Sequence, residues 1–198
     1  MVNEKFEVFS GPMASGKTRA AIQRANELER LGLSVVCLKP DFELRDNGLN
    51  SRNGLQRSAI GVQSLGRAAT LKEVELADAV IIDELFFFNG KLIDDTVDTT
   101  SDWLSAGKLL VATTLDYSAM GELMSVYERI VDEHHPRIIQ CLEAECRNHD
   151  EVVQATRTQI IEQATGCIIR EGLPELVPED PNNPIYEYRP VCLDCFTA

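Results

Sequence analysis

The chain has 198 residues, 44% of them hydrophobic, and a net charge of −13 from 32 acidic against 19 basic side chains. That length supports one main domain with a substantial core and a small appendage, and the acidic surface argues against a polymeric nucleic acid as partner. No apolar run is long enough to cross a membrane, and Met1-Val2-Asn3-Glu4-Lys5 lacks the basic flank and apolar stretch of a signal peptide, so the expected location is the cytoplasm.

The first 135 or so residues alternate short apolar strands with helical stretches, the pattern of an α/β domain with a parallel sheet. The first expected strand, Phe6–Ser10, runs into Gly11-Pro12-Met13-Ala14-Ser15-Gly16-Lys17-Thr18, which fits the Walker A spacing and leads into a helix over Lys17–Leu31. Glycines there let backbone N–H groups surround a polyphosphate, Lys17 adds a positive charge, and the Thr18 hydroxyl suits a magnesium ion. The stretch therefore predicts a site for a nucleoside triphosphate.

A second strand is expected over Ser34–Leu38, where Cys37 reads as a buried small residue. Between Asp41 and Arg67 the sequence is polar, rich in Gly, Asn and Arg, and without period, as in an exposed, mobile segment near the nucleotide. Ala79–Asp83 reads as a Walker B-like strand, with Asp83 placed to hold magnesium and Glu84 to accept a proton from an attacking hydroxyl or water. The aromatic run Phe86-Phe87-Phe88 fits either a base-stacking wall or the buried start of a helix. A helix over about Lys91–Ala106, stopped at Gly107, a strand over Leu109–Thr113 and a helix over Ser118–Val131 complete a domain of residues 1–135.

Composition shifts after His134-His135-Pro136, and residues 136–198 read as a small second subdomain. It contains two cysteine pairs, Cys141-x4-Cys146 and Cys192-x-x-Cys195, with spacings that suit structural zinc. In a reducing compartment such pairs suggest metal rather than disulfides. Four thiolates would close a tetrahedral shell, and His149, three residues past Cys146, is a candidate to replace one of them. Cys167 has no close partner in sequence.

The order of these pieces resembles the type II thymidine kinase family, tetrameric zinc-containing enzymes. Its phosphate loop, Gly-Pro-Met-x-Ser-Gly-Lys-Ser/Thr, is matched by Gly11–Thr18, and its Lys-Pro…Arg segment by Lys39-Pro40 and Arg45. Its Ser-Arg-x-Gly element corresponds to Ser51-Arg52-Asn53-Gly54, and its Asp-Glu-x-x-Phe-Phe to the run from Asp83 to Phe88. Ala106-Gly107-Lys108, Leu115-Asp116 and Tyr188 shortly before Cys192-x-x-Cys195 follow in the family's order. The resemblance implies a P-loop fold with a C-terminal zinc lobe and transfer of phosphate from ATP, with Mg2+, to the 5′-hydroxyl of a pyrimidine deoxynucleoside. It implies Glu84 as the base, and contacts to the nucleoside from Met13, Arg52, Phe87, Leu115 and Tyr188. It also implies a homotetramer.

The chain departs from that pattern after Leu115-Asp116. Where the family has x-x-Phe-Arg-Gly-Glu-Pro-Phe, this sequence reads Tyr117-Ser118-Ala119-Met120-Gly121-Glu122-Leu123-Met124, so Ala119 and Met124 stand for two pocket phenylalanines and Met120 for an arginine. An altered acceptor pocket follows, with a larger or modified pyrimidine as one substrate to consider. Two other readings remain at this level: a P-loop ATPase or a kinase of another acceptor, and a nucleotide-binding regulator without turnover.

Overall fold

The computed structural model describes residues 2–41, 48–51, 54–149, 151–172 and 185–197. Six parallel strands form the main sheet in the order β5-β2-β6-β7-β1-β8. They are β1 (Asn3–Ser10), β2 (Val35–Pro40), β5 (Ile60–Val62), β6 (Ala79–Ile82), β7 (Leu109–Thr114) and β8 (Pro136–Gln140). The central strands are apolar on both sides because helices cover both faces.

Alternation along each strand divides the core into two layers. Phe6, Val8, Val80, Ile82, Leu110 and Ala112 point to one side, toward α2 (Leu65–Ala68), α3 (Lys72–Leu76), α4 (Ile93–Ser105) and α5 (Ser125–His134). Phe9, Ala79, Ile81 and Val111 point to the other, where α1 (Lys17–Arg30) buries Ala21, Ile22, Ala25 and Leu28 at helical spacing.

Three segments differ from the sequence expectation. The polar stretch read as irregular contains, among the described residues, the hairpin β3 (Gly48–Asn50) and β4 (Gln56–Ser58) as well as β5. Arg57 pins this hairpin: its guanidinium donates to Asn26 Oδ1 at 2.9 Å, to the Glu29 carboxylate and to Cys37 Sγ at 3.1 Å. Such long-range anchoring is invisible to periodicity. The helix expected from Ser118 starts only at Ser125, because Tyr117–Leu123 folds into a tight loop with Gly121 at φ +85°. Ile138-Ile139, which lies C-terminal to position 135, belongs to β8 and pairs with Val8 and Phe9 of β1.

The remaining elements form a three-stranded antiparallel sheet, β10-β9-β11, of β9 (Arg157–Glu162), β10 (Ile168–Ile169) and β11 (Tyr186–Val191), followed by α6 (Leu193–Thr197).

Candidate active site and metal centre

All the phosphate-site residues lie at the C-terminal edge of the parallel sheet, where open α/β sheets bind ligands. The loop from Gly11 to Gly16 turns on three left-sided residues, Gly11 (φ 144°), Ala14 (φ 63°) and Gly16 (φ 89°), and delivers the chain into the N-terminus of α1. Gly11 is required twice over, since a Cβ there would stand 2.5 Å from the Cys141 carbonyl oxygen. Lys17 folds back over the loop and donates to the carbonyls of Gly11 at 3.0 Å and Pro12 at 2.7 Å. Ser15 is buried, and its Oγ finds no partner among the described residues. Cys141, at the end of β8, donates its N–H to the Ser10 carbonyl at 2.7 Å, and Glu143 just beyond pairs with Arg19 beside Gly16.

A chain of hydrogen bonds organises the acidic side. Thr113 Oγ1 on β7 donates to Asp83 Oδ1 at 2.5 Å and accepts the Glu84 N–H at 2.9 Å. Thr18 Oγ1 reaches the same Asp83 oxygen at 3.3 Å. Glu84 follows in the left-handed region, φ 53° and ψ 46°, a conformation that costs a non-glycine residue about 1–3 kcal/mol and marks functional turns. It turns the chain sharply, so that Glu84 is half-buried while its neighbours Asp83 and Leu85 are buried.

Burial pushes Asp83 above the usual carboxylate range despite hydrogen bonds from Thr113 and Thr18 and the charge of Lys17. Burial likewise lowers Lys17, against the opposing fields of Glu84, Cys141, Asp83 and Asp116. A water-poor site holding one ammonium among carboxylates suits a polyphosphate with a divalent cation, whose charges would complete the balance. The neighbouring Thr18 hydroxyl and Asp83 carboxylate are the donors that fit the cation.

The aromatic run serves two ends. Phe86 and Phe88 are buried in the core, whereas Phe87 is half-buried, its ring centroid 4.4 Å from that of Phe86. Leu115 packs half-buried on the same core. Met13 is half-buried, and its N–H donates to Thr158 Oγ1 of β9 at 2.9 Å, tying the phosphate loop to the small sheet. Tyr188 sits on β11 opposite Ile160. Arg52 and Arg45 lie outside the described residues. Met124, expected at the acceptor pocket, is instead fully buried in the main core, so its replacement of a phenylalanine is a packing change there, while Ala119 and Met120 are half-buried on the loop.

Thr113, Thr158 and Gln140 escaped the sequence reading. Gln140 donates to Ser10 Oγ at 2.9 Å and to the buried Asp116 carboxylate at 3.4 Å. A threonine ending a strand beside a Walker B strand was the only available signal, and it carries no spacing.

The metal-donor set also changes. Cys146, His149, Cys192 and Cys195 bring their donor atoms within 4.8 Å of one another, with His149 Nε2 3.3 Å from Cys192 Sγ and 3.1 Å from Cys195 Sγ. Cys141 is not part of this cluster; it stands by the phosphate loop, because β8 continues the main sheet until that residue. Ligand separations of about 3.8 Å are what tetrahedral zinc requires at ordinary Zn–S lengths, so three thiols and one imidazole fit it. Burial raises the Cys146 thiol, but hydrogen bonds from the backbone at Cys192 and Asn148 and from its neighbouring thiols outweigh this and lower it.

A family model described as thymidine kinase matches residues 4–168. The thymidine kinase of Metamycoplasma arthritidis is 29% identical over 133 residues, covering 63% of this chain and 66% of that protein. The thymidine kinase of African swine fever virus is 30% identical over 122 residues, covering 61% and 63%. That of Roseiflexus sp. is 27% identical over 154 residues, covering 71% and 76%. The chain thus spans just under two thirds of the length of the first two relatives.

Proposed function

The chain belongs to the thymidine kinase family, and from that premise we propose that it transfers the γ-phosphoryl group of ATP to the 5′-hydroxyl of a pyrimidine deoxynucleoside, thymidine or a close analogue. The observation that carries this reading is the Thr18–Asp83–Thr113–Glu84 hydrogen-bonded chain facing the phosphate loop. Phosphoryl transfer needs positioning and charge neutralisation more than covalent chemistry. In this reading Lys17 leaves the carbonyls of Gly11 and Pro12 for the phosphates, and the glycine-rich loop surrounds them with N–H groups. Magnesium, held by Thr18 and Asp83, supplies neutralising charge when bound. Glu84, fixed by Thr113, takes the proton from the 5′-hydroxyl. Met13, Phe87, Leu115 and Tyr188, with Arg52, are assigned to the nucleoside.

We assign structural zinc to Cys146, His149, Cys192 and Cys195, since a filled four-donor shell leaves no position for substrate. The resemblance extends the proposal to a cytoplasmic homotetramer, with the parallel-sheet domain binding nucleotide and the following segment forming the zinc lobe. The boundary expected at 135 lies beyond Gln140, because β8 belongs to the main sheet. Among the described residues no helix is long and apolar enough to cross a membrane.

The test is a phosphate-transfer screen with ATP, magnesium and a panel of deoxynucleosides, run beside an acceptor-free control. Phosphorylation of thymidine or a related pyrimidine is expected. ATP hydrolysis without acceptor phosphorylation, or no turnover across the panel, would reject the nucleoside kinase.

A further inference from the structure

The loop between β7 and α5 carries the positions at which this chain departs most from the family pattern, and it is closed on itself. Tyr117 and Leu123 bridge, the Ser118 N–H donates to the Glu122 carbonyl at 2.8 Å, and the Gly121 N–H donates to the Ser118 carbonyl at 3.0 Å. Met120 and Glu122 donate their N–H groups to Ser118 Oγ at 3.2 and 3.3 Å. These bonds set the loop's shape but not its place relative to the phosphate loop.

Two side chains from the C-terminal lobe hold that place. The Arg157 guanidinium carbon lies 3.7 Å from the centre of the Tyr117 ring. At the loop's tip, Cε1 and Cζ of Phe196 come to 2.9 and 3.3 Å from where a Cβ on Gly121 would stand, so the ring rests on bare backbone. A side chain there would collide with the ring and would also meet an unfavourable φ of +85°.

Phe196 directly follows Cys195 on α6, an element of five residues. A helix that short has no stability of its own, so outside contacts must hold it. Those contacts are Gln159 Nε2 donating to the Cys195 carbonyl at 2.8 Å, Arg170 Nη1 donating to the Phe196 carbonyl at 3.1 Å, and Cys195 Sγ among the cluster donors. One short element therefore carries both a metal donor and the ring that seats the loop.

We propose that Phe196 is a positioning residue that seats the acceptor-side loop 117–123 and makes its placement depend on the ion held by Cys146, His149, Cys192 and Cys195. The kinetic side of this rests on the nucleoside kinase reading; the placement of the loop does not.

Hydrogen exchange at residues 117–123 tests the placement in zinc-loaded wild type and zinc-loaded Phe196→Ala, with zinc content measured in both. Faster exchange in the variant is expected, with Phe196→Leu recovering much of the protection; unchanged exchange in zinc-loaded Phe196→Ala would overturn the proposal. Stripping zinc with a chelator should speed exchange in wild type and add little in Phe196→Ala. Equal acceleration in both would refute the route through Phe196. In steady-state kinetics the nucleoside KM should rise roughly tenfold while kcat and the KM for ATP stay within about twofold. A nucleoside KM within about twofold of wild type would overturn it. If wild type phosphorylates no nucleoside, the kinase reading falls and hydrogen exchange alone decides the placement.

Discussion

Replacing Thr113 by valine keeps the side chain's volume and removes one hydroxyl from a fully buried position. Two hydrogen bonds go with it: the 2.9 Å bond from the Glu84 N–H and the 2.5 Å bond to Asp83. A neutral bond contributes about 1 kcal/mol and one to a carboxylate about 1.5–3, giving about 3 kcal/mol in total. For a chain near 200 residues each kcal/mol shifts Tm by about 2–4 °C, so the variant should melt roughly 6–12 °C lower. The effect on turnover follows from Glu84. Its left-handed conformation is held partly by the Thr113 bond, and a released Glu84 would relax toward ordinary φ, costing about 10–100-fold in kcat. Asp83 is already raised by burial, and losing the Thr113 donor raises it further, so the acidic limb of the pH–rate profile should move to higher pH. Thr113→Ser, which keeps the hydroxyl, is the control and should retain most of the activity. Calorimetry and a coupled ADP-release assay supply the readouts. If Thr113→Val melts within about 2 °C of wild type and turns over as fast, the bonds do not organise the site and the reasoning fails.

Glu84→Gln should leave nucleotide binding intact by titration and lower kcat about a hundredfold or more, the usual loss on removing a general base; an unaltered kcat would remove Glu84 from the mechanism. Metal analysis should find one zinc per chain, retained in Cys141→Ser and lost in Cys192→Ser and weakened in His149→Ala, as the cluster geometry requires. Zinc loss in Cys141→Ser would restore the four-cysteine site. His134 is buried against Phe6, with Nε2 2.9 Å from Thr100 Oγ1, and burial lowers its pKa against the pull of Glu133 and the Val97 backbone. A folded pKa below the unfolded value near 6.5 means that its contribution is present above 6.5 and lost as pH falls through the folded value. Tm should therefore fall on acidification below 6.5, and His134→Gln should flatten that slope; an identical slope in the variant would exclude His134 as the cause.

The phosphate loop, the strand ending in Asp83 and the alternation of strands and helices were legible from sequence because each is a local pattern. Loop glycines and Lys17 act through a spacing that the chain carries with it, and apolar periodicity reports which elements have covered faces. Cys192-x-x-Cys195 was legible for the same reason. Spacing misled for Cys141, however. Cys141 and Cys146 are five positions apart in sequence, yet the first directly follows the edge strand β8 of the main sheet while the second lies in the small lobe, where its N–H donates to the Val153 carbonyl. His149 takes the fourth position because the turn at Arg147-Asn148, directly after Cys146, brings it back on the thiols.

The contacts that organise the site were out of reach of the sequence. Thr113 meets Asp83 because β7 lies beside β6, Thr158 meets Met13 because β9 packs over the phosphate loop, and Phe196 meets Gly121 across 75 positions. Sequence alone determined what can form locally: a loop for phosphate, a carboxylate pair at a strand's end and thiols in metal-binding pairs. Which threonine steers which acid, which cysteine leaves the metal cluster and which side chain seats the acceptor loop were decided by the tertiary structure. Those relations depend on strand order and lobe packing, which no short stretch of residues encodes.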